Sequence, residues 1–240
     1  MSDNRMVAVC DVLGYSNLVR DHSLEELKNY HLKNILTVIE SSIPKHGADL
    51  ESDTQQDLLT SGAVGHVSFS DTIVIYSLLD DRDGRKNVLD AVYRLIAIPM
   101  NTPYYRYRVG IAYGEMHVNK EDGIYVGKAL VEAHDLEAMQ QWSGVALTES
   151  AASMFRSHHP ESSMLVDYDV PIKGQTRRRR TVVNWTLAKH EIVPSKTNWM
   201  WRVEDGERVT HCKDPEVEQK IRNTEEFHLD KCAQCRAKKT

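Results

Sequence analysis

The 240-residue sequence predicts an α+β fold, one mixed sheet with packed helices, and three observations carry that expectation. The run MVAVCDVL at residues 6–13 is apolar, rich in valine and without helical period, so it reads as a buried strand. Strand-like runs come in close pairs, as at residues 66–70 and 72–77, where only the Ser70-Asp71 region separates them. Helical and strand-like stretches then alternate irregularly, with hairpins included, which departs from the regular alternation of a doubly wound parallel sheet.

Taken in order, the first strand ends near Asp11 and Gly14, and a helix should follow. Over residues 23–42, Leu24, Leu27, Leu32, Ile35, Leu36 and Ile39 recur at three- and four-residue steps; Ser23 precedes Glu26 as a capping box, and Pro44 lies beyond. That pattern predicts a helix, and the polar stretch 45–56 a loop. The paired runs 66–70 and 72–77 predict a hairpin with Asp71 at its tip. Residues 87–100 form a second amphipathic helix, with Val88, Leu89, Val92, Leu95 and Ile96 on one face. A strand is expected over 104–112, YYRYRVGIA, broken by Gly114 ahead of a second hairpin arm at 115–118. Gly127 opens a third helix reaching about Trp142. Residues 145–148 read as a strand, 149–155 as a short helix, and 164–170 with 181–187 as a last pair of strands around Lys173-Gly174. Arg177 to Arg180 then fall at a solvated hairpin tip rather than in a nucleic-acid site. After Lys189 the composition turns polar. The expected division is therefore residues 1–190 as the main domain and 191–240 as a C-terminal extension.

Composition narrows the function classes. With 41% hydrophobic and 27% charged residues, the chain is globular rather than disordered, and 30 basic against 35 acidic residues argue against bulk-charge binding of nucleic acid. No stretch approaches the roughly 20 apolar residues that span a bilayer, and the start lacks the layout of a signal peptide. The expected location is the cytoplasm, with no membrane partner, where four cysteines read as thiols or metal ligands rather than disulfides.

The candidate chemistry sits on Asp11, at the exit of the first strand, and Asp71. If those strands are neighbours, both carboxylates meet at one sheet end and suit two Mg²⁺ or Mn²⁺ ions roughly 4 Å apart, one acidifying a hydroxyl and one neutralising a triphosphate leaving group. Gly14, free of a side chain, lets phosphates approach backbone N–H groups. The bland alternative is that Asp11 caps a turn and Asp71 closes a hairpin.

Four ordered segments carry a resemblance: DVLGYSNLV at 11–19, FSDTIVIY at 69–76, YRVGIAYGEM at 107–116 and VGKALVEAHDLE at 126–137. Over residues 6–190 the chain resembles class III nucleotidyl cyclases. The resemblance implies a ferredoxin-like catalytic core acting as a homodimer on a nucleoside triphosphate, with Asp11, Val12 and Asp71 as the metal-binding set and Val12 and Gly14 beside the nucleotide. Two positions that read the base in purine cyclases hold Val67 and Ile124, which cannot hydrogen-bond a purine edge. The asparagine and arginine that grip ribose and phosphate align with Val131 and Asp135, so a cation must come from elsewhere. Lys128 at the start of the third helix and Arg106 or Arg108 on the adjacent strand are the candidates. These departures, with the phrase GKALVEAHDLE, are similar to the pyrimidine cyclases of the bacterial Pycsar anti-phage system, which implies UTP or CTP as substrate, UTP favoured. The alternative is a degenerate cyclase-like module that binds a nucleotide or dimerises without turnover.

Cys232-Ala-Gln-Cys235 has the two-residue spacing that lets two thiolates reach one tetrahedral ion, and Cys212 with His228 would complete a zinc site, His211 competing for a place. Such an ion would hold a tail carrying Trp199 and Trp201. A flexible tail with unligated thiols is the alternative.

Overall fold

Strand β1 (Asn4–Val12) is buried on both faces: Met6, Ala8, Cys10 and Val12 point one way, Val7 and Val9 the other, and none is more than 2% exposed. A run of that kind belongs in the middle of a sheet covered on both sides. In the computed structural model, which describes residues 4–31, 33, 37, 64–100, 105–174, 177–187, 202–204, 207–209 and 215–232, it does. β1 pairs antiparallel with β3 (Thr72–Ser77) on one edge and β4 (Tyr107–Glu115) on the other. With β2 (Val64–Phe69), β7 (Val145–Leu147), β8 (Leu165–Val170) and β9 (Arg178–Val183) the sheet has seven strands in the order β2-β3-β1-β4-β7-β9-β8. The β4–β7 pair is parallel and the other pairs are antiparallel, which makes the sheet mixed as expected. Two small hairpins stand apart, β5 (His117–Asn119) with β6 (Ile124–Val126), and β10 (Arg202–Glu204) with β11 (Glu207–Val209).

Helices cover both faces. On one, α3 (Arg82–Met100), α5 (Glu149–His158) and α6 (Pro215–Lys231) place Val88, Leu95, Phe155, Ile221 and Phe227 in one apolar cluster with Met6, Cys10 and Ile111. On the other, α4 (Lys128–Met139) sets Ala129 and Ala133 against Val7, Val9 and Ala112. α4 lies so close to β4 that a Cβ on Gly110 would be 2.1 Å from the Ala133 carbonyl oxygen, so only glycine fits there. Near the start, α1 (Tyr15–Asp21) follows β1, and α2 (Leu24–Glu26) has the expected Ser23–Glu26 capping box before a π-helical turn at Leu27–His31. Most of the remainder of the helix expected over 23–42, and the 45–56 loop, lie outside the described residues.

Several boundaries differ from expectation for local reasons. α3 starts at Arg82 rather than 87, because the Asp81 side chain caps it by accepting from the Gly84 N–H at 2.6 Å. Gly114 does not break β4, since it pairs with Arg5 of β1; the segment expected as a second arm to β4 instead forms β5, which pairs with β6. α4 ends at Met139, where Gln140 leaves the helix to bridge Ile172. Arg178, Arg179 and Arg180 are not a hairpin tip but strand residues of β9, opposite Val170, Asp169 and Tyr168, with Arg179 3.5 Å from the Asp169 carboxylate.

Beyond the boundary expected near 190, α6 returns to the sheet. Phe227, fully buried, stands 4.9 Å from both the Trp142 and Tyr168 rings and 5.5 Å from Trp185, centroid to centroid. Truncating it should leave a large cavity, so Phe227→Ala is expected to cost about 3–5 kcal/mol. The check is urea denaturation: one cooperative transition should shift as a whole, whereas an α6 that folds separately would leave the main transition in place. Among the described residues no helix is long and apolar enough to cross a membrane.

Candidate active site

Two backbone features bring the aspartates together. Asp11 is the penultimate residue of β1, paired with Thr72 of β3 and Arg108 of β4, and the Val12 N–H donates to the Asp71 carbonyl at 3.0 Å. The hairpin tip is thereby tied to the strand end. Ser70, beside Asp71, adopts a left-handed backbone with φ of 57°, a strained conformation that the tight tip imposes. Asp11 lies on the α4 face of the sheet, by alternation with Cys10 and Val12 on the other.

Arg108 occupies the same face and is 7% exposed. Its Nη2 donates to Asp11 Oδ2 at 3.1 Å, its Nε to the Glu137 carboxylate and its Nη1 to the Gln140 carbonyl at 3.1 Å. Gln140 is in turn fixed by its side-chain amide, which donates to the Val109 and Leu136 carbonyls, both at 2.9 Å. Burial pushes the Asp11 carboxyl above the usual aspartate range; Arg108 pulls it back down, and the charge of Asp71 raises it again. Glu137 is likewise raised by burial, against the pull of Arg108.

The mutual repulsion of Asp11 and Asp71 is what a divalent cation relieves, so the pair suits Mg²⁺ or Mn²⁺. Among the described residues no three His, Cys, Asp or Glu side chains gather as a complete metal cage. Two carboxylates fit Mg²⁺ nonetheless, because that ion ordinarily keeps water and takes phosphate oxygens as further ligands.

The other sequence-predicted residues are dispersed. Gly14 caps α1 with φ of 81°, a left-handed turn directly after β1 that favours glycine. Val67 is on β2, Ile124 opens β6 at 46% exposure, and Val131 on α4 is 60% exposed. Asp135 lies on the exposed side of α4, 3.6 Å from His134. Lys128 extends into solvent from the start of α4, 3.3 Å from Glu115. Arg106 is fully buried and donates to the Pro99 carbonyl in α3, so it is a packing residue and not a phosphate ligand. His228 stacks on Trp185 at 5.6 Å and Cys232 is buried at the end of α6; His211, Cys212, Cys235, Trp199 and Trp201 lie outside the described residues.

Sequence reasoning missed Glu137, Gln140, Lys173 and Lys220. Glu137 had a signal: Ala129, Ala133 and Glu137 recur every four residues along the buried stripe of α4, and a carboxylate in such a stripe requires a partner. Lys173 and Lys220 both act on Asp11 as positive charges, and no local pattern announces that.

No protein-family model and no curated protein matches the chain. Solved structures match in fold. The catalytic core of a rhodopsin-guanylyl cyclase with converted specificity, in complex with ATPalphaS, aligns with a TM-score of 0.54 at 11% identity over 76% of this chain and 95% of that one. The guanylate cyclase domain of RhGC from Catenaria anguillulae, in complex with GTP, gives 0.53 at 11% identity over 75% and 96%. The non-canonical dimeric guanylyl cyclase domain of the RhoGC fusion protein from Blastocladiella emersonii gives 0.50 at 12% identity over 75% and 96%. This chain therefore has the fold of nucleotidyl cyclase catalytic domains.

Proposed function

We propose that the protein is a nucleotidyl cyclase that converts a pyrimidine ribonucleoside triphosphate, UTP ahead of CTP, to the 3′,5′-cyclic monophosphate and pyrophosphate. The observation that carries this is the meeting of Asp11 and Asp71 at one end of a cyclase-type sheet, tied by the Val12 N–H to Asp71 carbonyl bond. The two carboxylates would hold two divalent ions, which when bound acidify the 3′-hydroxyl and neutralise the leaving group. In the reaction the 3′-oxygen forms a bond to the α-phosphorus, the bond to pyrophosphate breaks, and the hydroxyl proton passes to solvent. Val67 and Ile124 offer the base no hydrogen bond, which supports a pyrimidine over a purine. The likeness to the anti-phage cyclases supports a cytosolic second-messenger role in phage defence.

Incubating the full chain with each of the four ribonucleoside triphosphates and Mn²⁺, with products identified by mass spectrometry, should yield cyclic UMP or cyclic CMP. Cyclic AMP or cyclic GMP alone would overturn the pyrimidine assignment. The degenerate reading, favoured by Val131 and Asp135, expects nucleotide binding with no cyclic product from any triphosphate.

The reading takes the chain to act as a homodimer, and its exposed apolar side chains support that. Phe69 is 84% exposed, Val131 60% and Val126 58%, apolar side chains that a lone subunit leaves in water. If the aspartates and α4 at each site come from different subunits, mixing Asp71→Asn chains with Lys128→Glu chains, each inactive alone, should restore about a quarter of the activity through heterodimers with one intact site. No recovery, with heterodimers shown to form, would place both residues in one subunit or remove Lys128 from the site.

A further inference from the structure

Residues 140–143, where the chain leaves α4, grip β4 on both sides of Arg108. The Gln140 side-chain amide donates to the Val109 carbonyl at 2.9 Å, and the Ser143 hydroxyl donates to the Tyr107 carbonyl at 2.8 Å. The Gln140 main-chain carbonyl takes Arg108 Nη1 at 3.1 Å. Gln140 is fully buried, and both polar atoms of its side chain are bonded: Nε2 donates also to the Leu136 carbonyl at 2.9 Å, and Oε1 accepts from Trp142 Nε1 at 2.8 Å. One carboxamide thus ties a strand, a helix and a loop together. A methionine would fill the same space without the cost of withdrawing an amide from water, so packing alone does not account for a glutamine here. A buried polar network with every member satisfied fixes one geometry.

From Gln140 to Asp11 there is a single side chain. Arg108 gives Nε to the Glu137 carboxylate and Nη2 to Asp11 Oδ2, the latter at 3.1 Å. A guanidinium is a rigid planar fork, so pinning Nη1 on Gln140 and Nε on Glu137 fixes the direction of Nη2. Arg108 therefore orients the Asp11 carboxylate by its Oδ2, and among the described residues nothing donates to Oδ1. Helix α6 braces the turn. Asn223 Nδ2 donates to the Gln141 carbonyl at 2.6 Å, and Thr224 Oγ1 accepts from the Ser143 N–H at 2.9 Å. Trp142, fully buried, stacks on Tyr168 at 5.5 Å and meets Phe227 of α6 edge-on at 4.9 Å between ring centroids, which holds its Nε1 on Gln140.

We propose that Gln140 is a positioning residue of the active site: locked by Trp142 and braced by α6, it holds Arg108 on Asp11 and leaves the second oxygen of that carboxylate for a divalent ion. The C-terminal helix then serves the ion site through the 140–143 turn. The proposal deepens the cyclase reading and rests on its assignment of Asp11 and Asp71 as ion ligands. Removing a group that orients a ligating side chain typically costs about 10- to 100-fold in metal affinity or activity.

Titration of the full chain with Mn²⁺ alone, followed by the electron paramagnetic resonance signal of the free ion, tests this without turnover. The wild type should bind, and Asp71→Asn should bind far more weakly. Gln140→Met keeps the length of the side chain but none of its hydrogen bonds, and it should weaken binding by about tenfold or more. Val92→Ala destabilises the core on the opposite face of the sheet and should bind as the wild type does, which separates lost positioning from lost stability. If Gln140→Met does not fold, Trp142→Phe takes its place; it removes only the Nε1 donor and should cost about threefold, the worth of one hydrogen bond. Mn²⁺ bound equally by the wild type and the folded variant, with Asp71→Asn deficient, overturns the proposal and leaves the ion site standing. Wild-type binding that is absent, or that Asp71→Asn does not weaken, overturns the ion site and the proposal with it.

Discussion

Asp11→Asn and Asp71→Asn should each abolish cyclic nucleotide formation while the protein stays folded. An asparagine keeps the shape of the carboxylate but not the charge that holds a divalent ion, and ions at such a site supply several kcal/mol of transition-state stabilisation. The loss should be on the order of 10²-fold or more in kcat. Position 11 can still accept from Arg108 Nη2, so the Arg108 cluster keeps its geometry. Because burial already raises the Asp11 carboxyl, ionised Asp11 opposes folding, and Asp11→Asn should melt no lower than the wild type at pH 7. Initial rates at saturating Mn²⁺ with a thermal melt on the same sample check both halves. Substantial residual turnover in either variant would remove the two-ion assignment.

The aspartate pair was legible because both halves of it are local. A strand rich in valine ends at Asp11, and a two-residue tip separates two alternating runs; once β1 and β3 pair, the Asp11–Thr72 register leaves Asp71 nowhere else to go. Arg108 was visible as a candidate, yet its partners were not. They depend on α4 packing against Gly110 and turning at Gln140, which are tertiary facts. The extension was the least legible part. Val217, Ile221, Thr224 and His228 follow a helical stripe of buried positions, but half of that stripe is polar, so hydropathy did not mark it. The buried polar members are there because they bond the 141–143 loop, as Asn223 and Thr224 do. The Cys232–Cys235 spacing was the louder signal, while the residues that anchor α6 to the sheet carried the structural information.

Arg108→Met should produce the largest stability change of any single substitution at the site. The guanidinium serves two carboxylates at once, with the side chains of Arg108 8% and Glu137 6% exposed, and removing one member of a buried ionic cluster costs about 3–5 kcal/mol because the remaining charges lose their partner. The pH dependence identifies the cause. Asp11 and Glu137 are already raised by burial, and Arg108 is the charge that opposes that rise in both. Without it their folded-state values climb further above the unfolded ones, so the folded variant takes up protons that the unfolded chain does not. The deficit relative to wild type should therefore be greatest above the folded values and shrink as pH falls through them toward the ordinary carboxylate range. Guanidinium denaturation of both proteins at a series of pH values measures it. A deficit independent of pH would mean that the methionine loses only packing, and that the arginine does not balance the charge of the two acids.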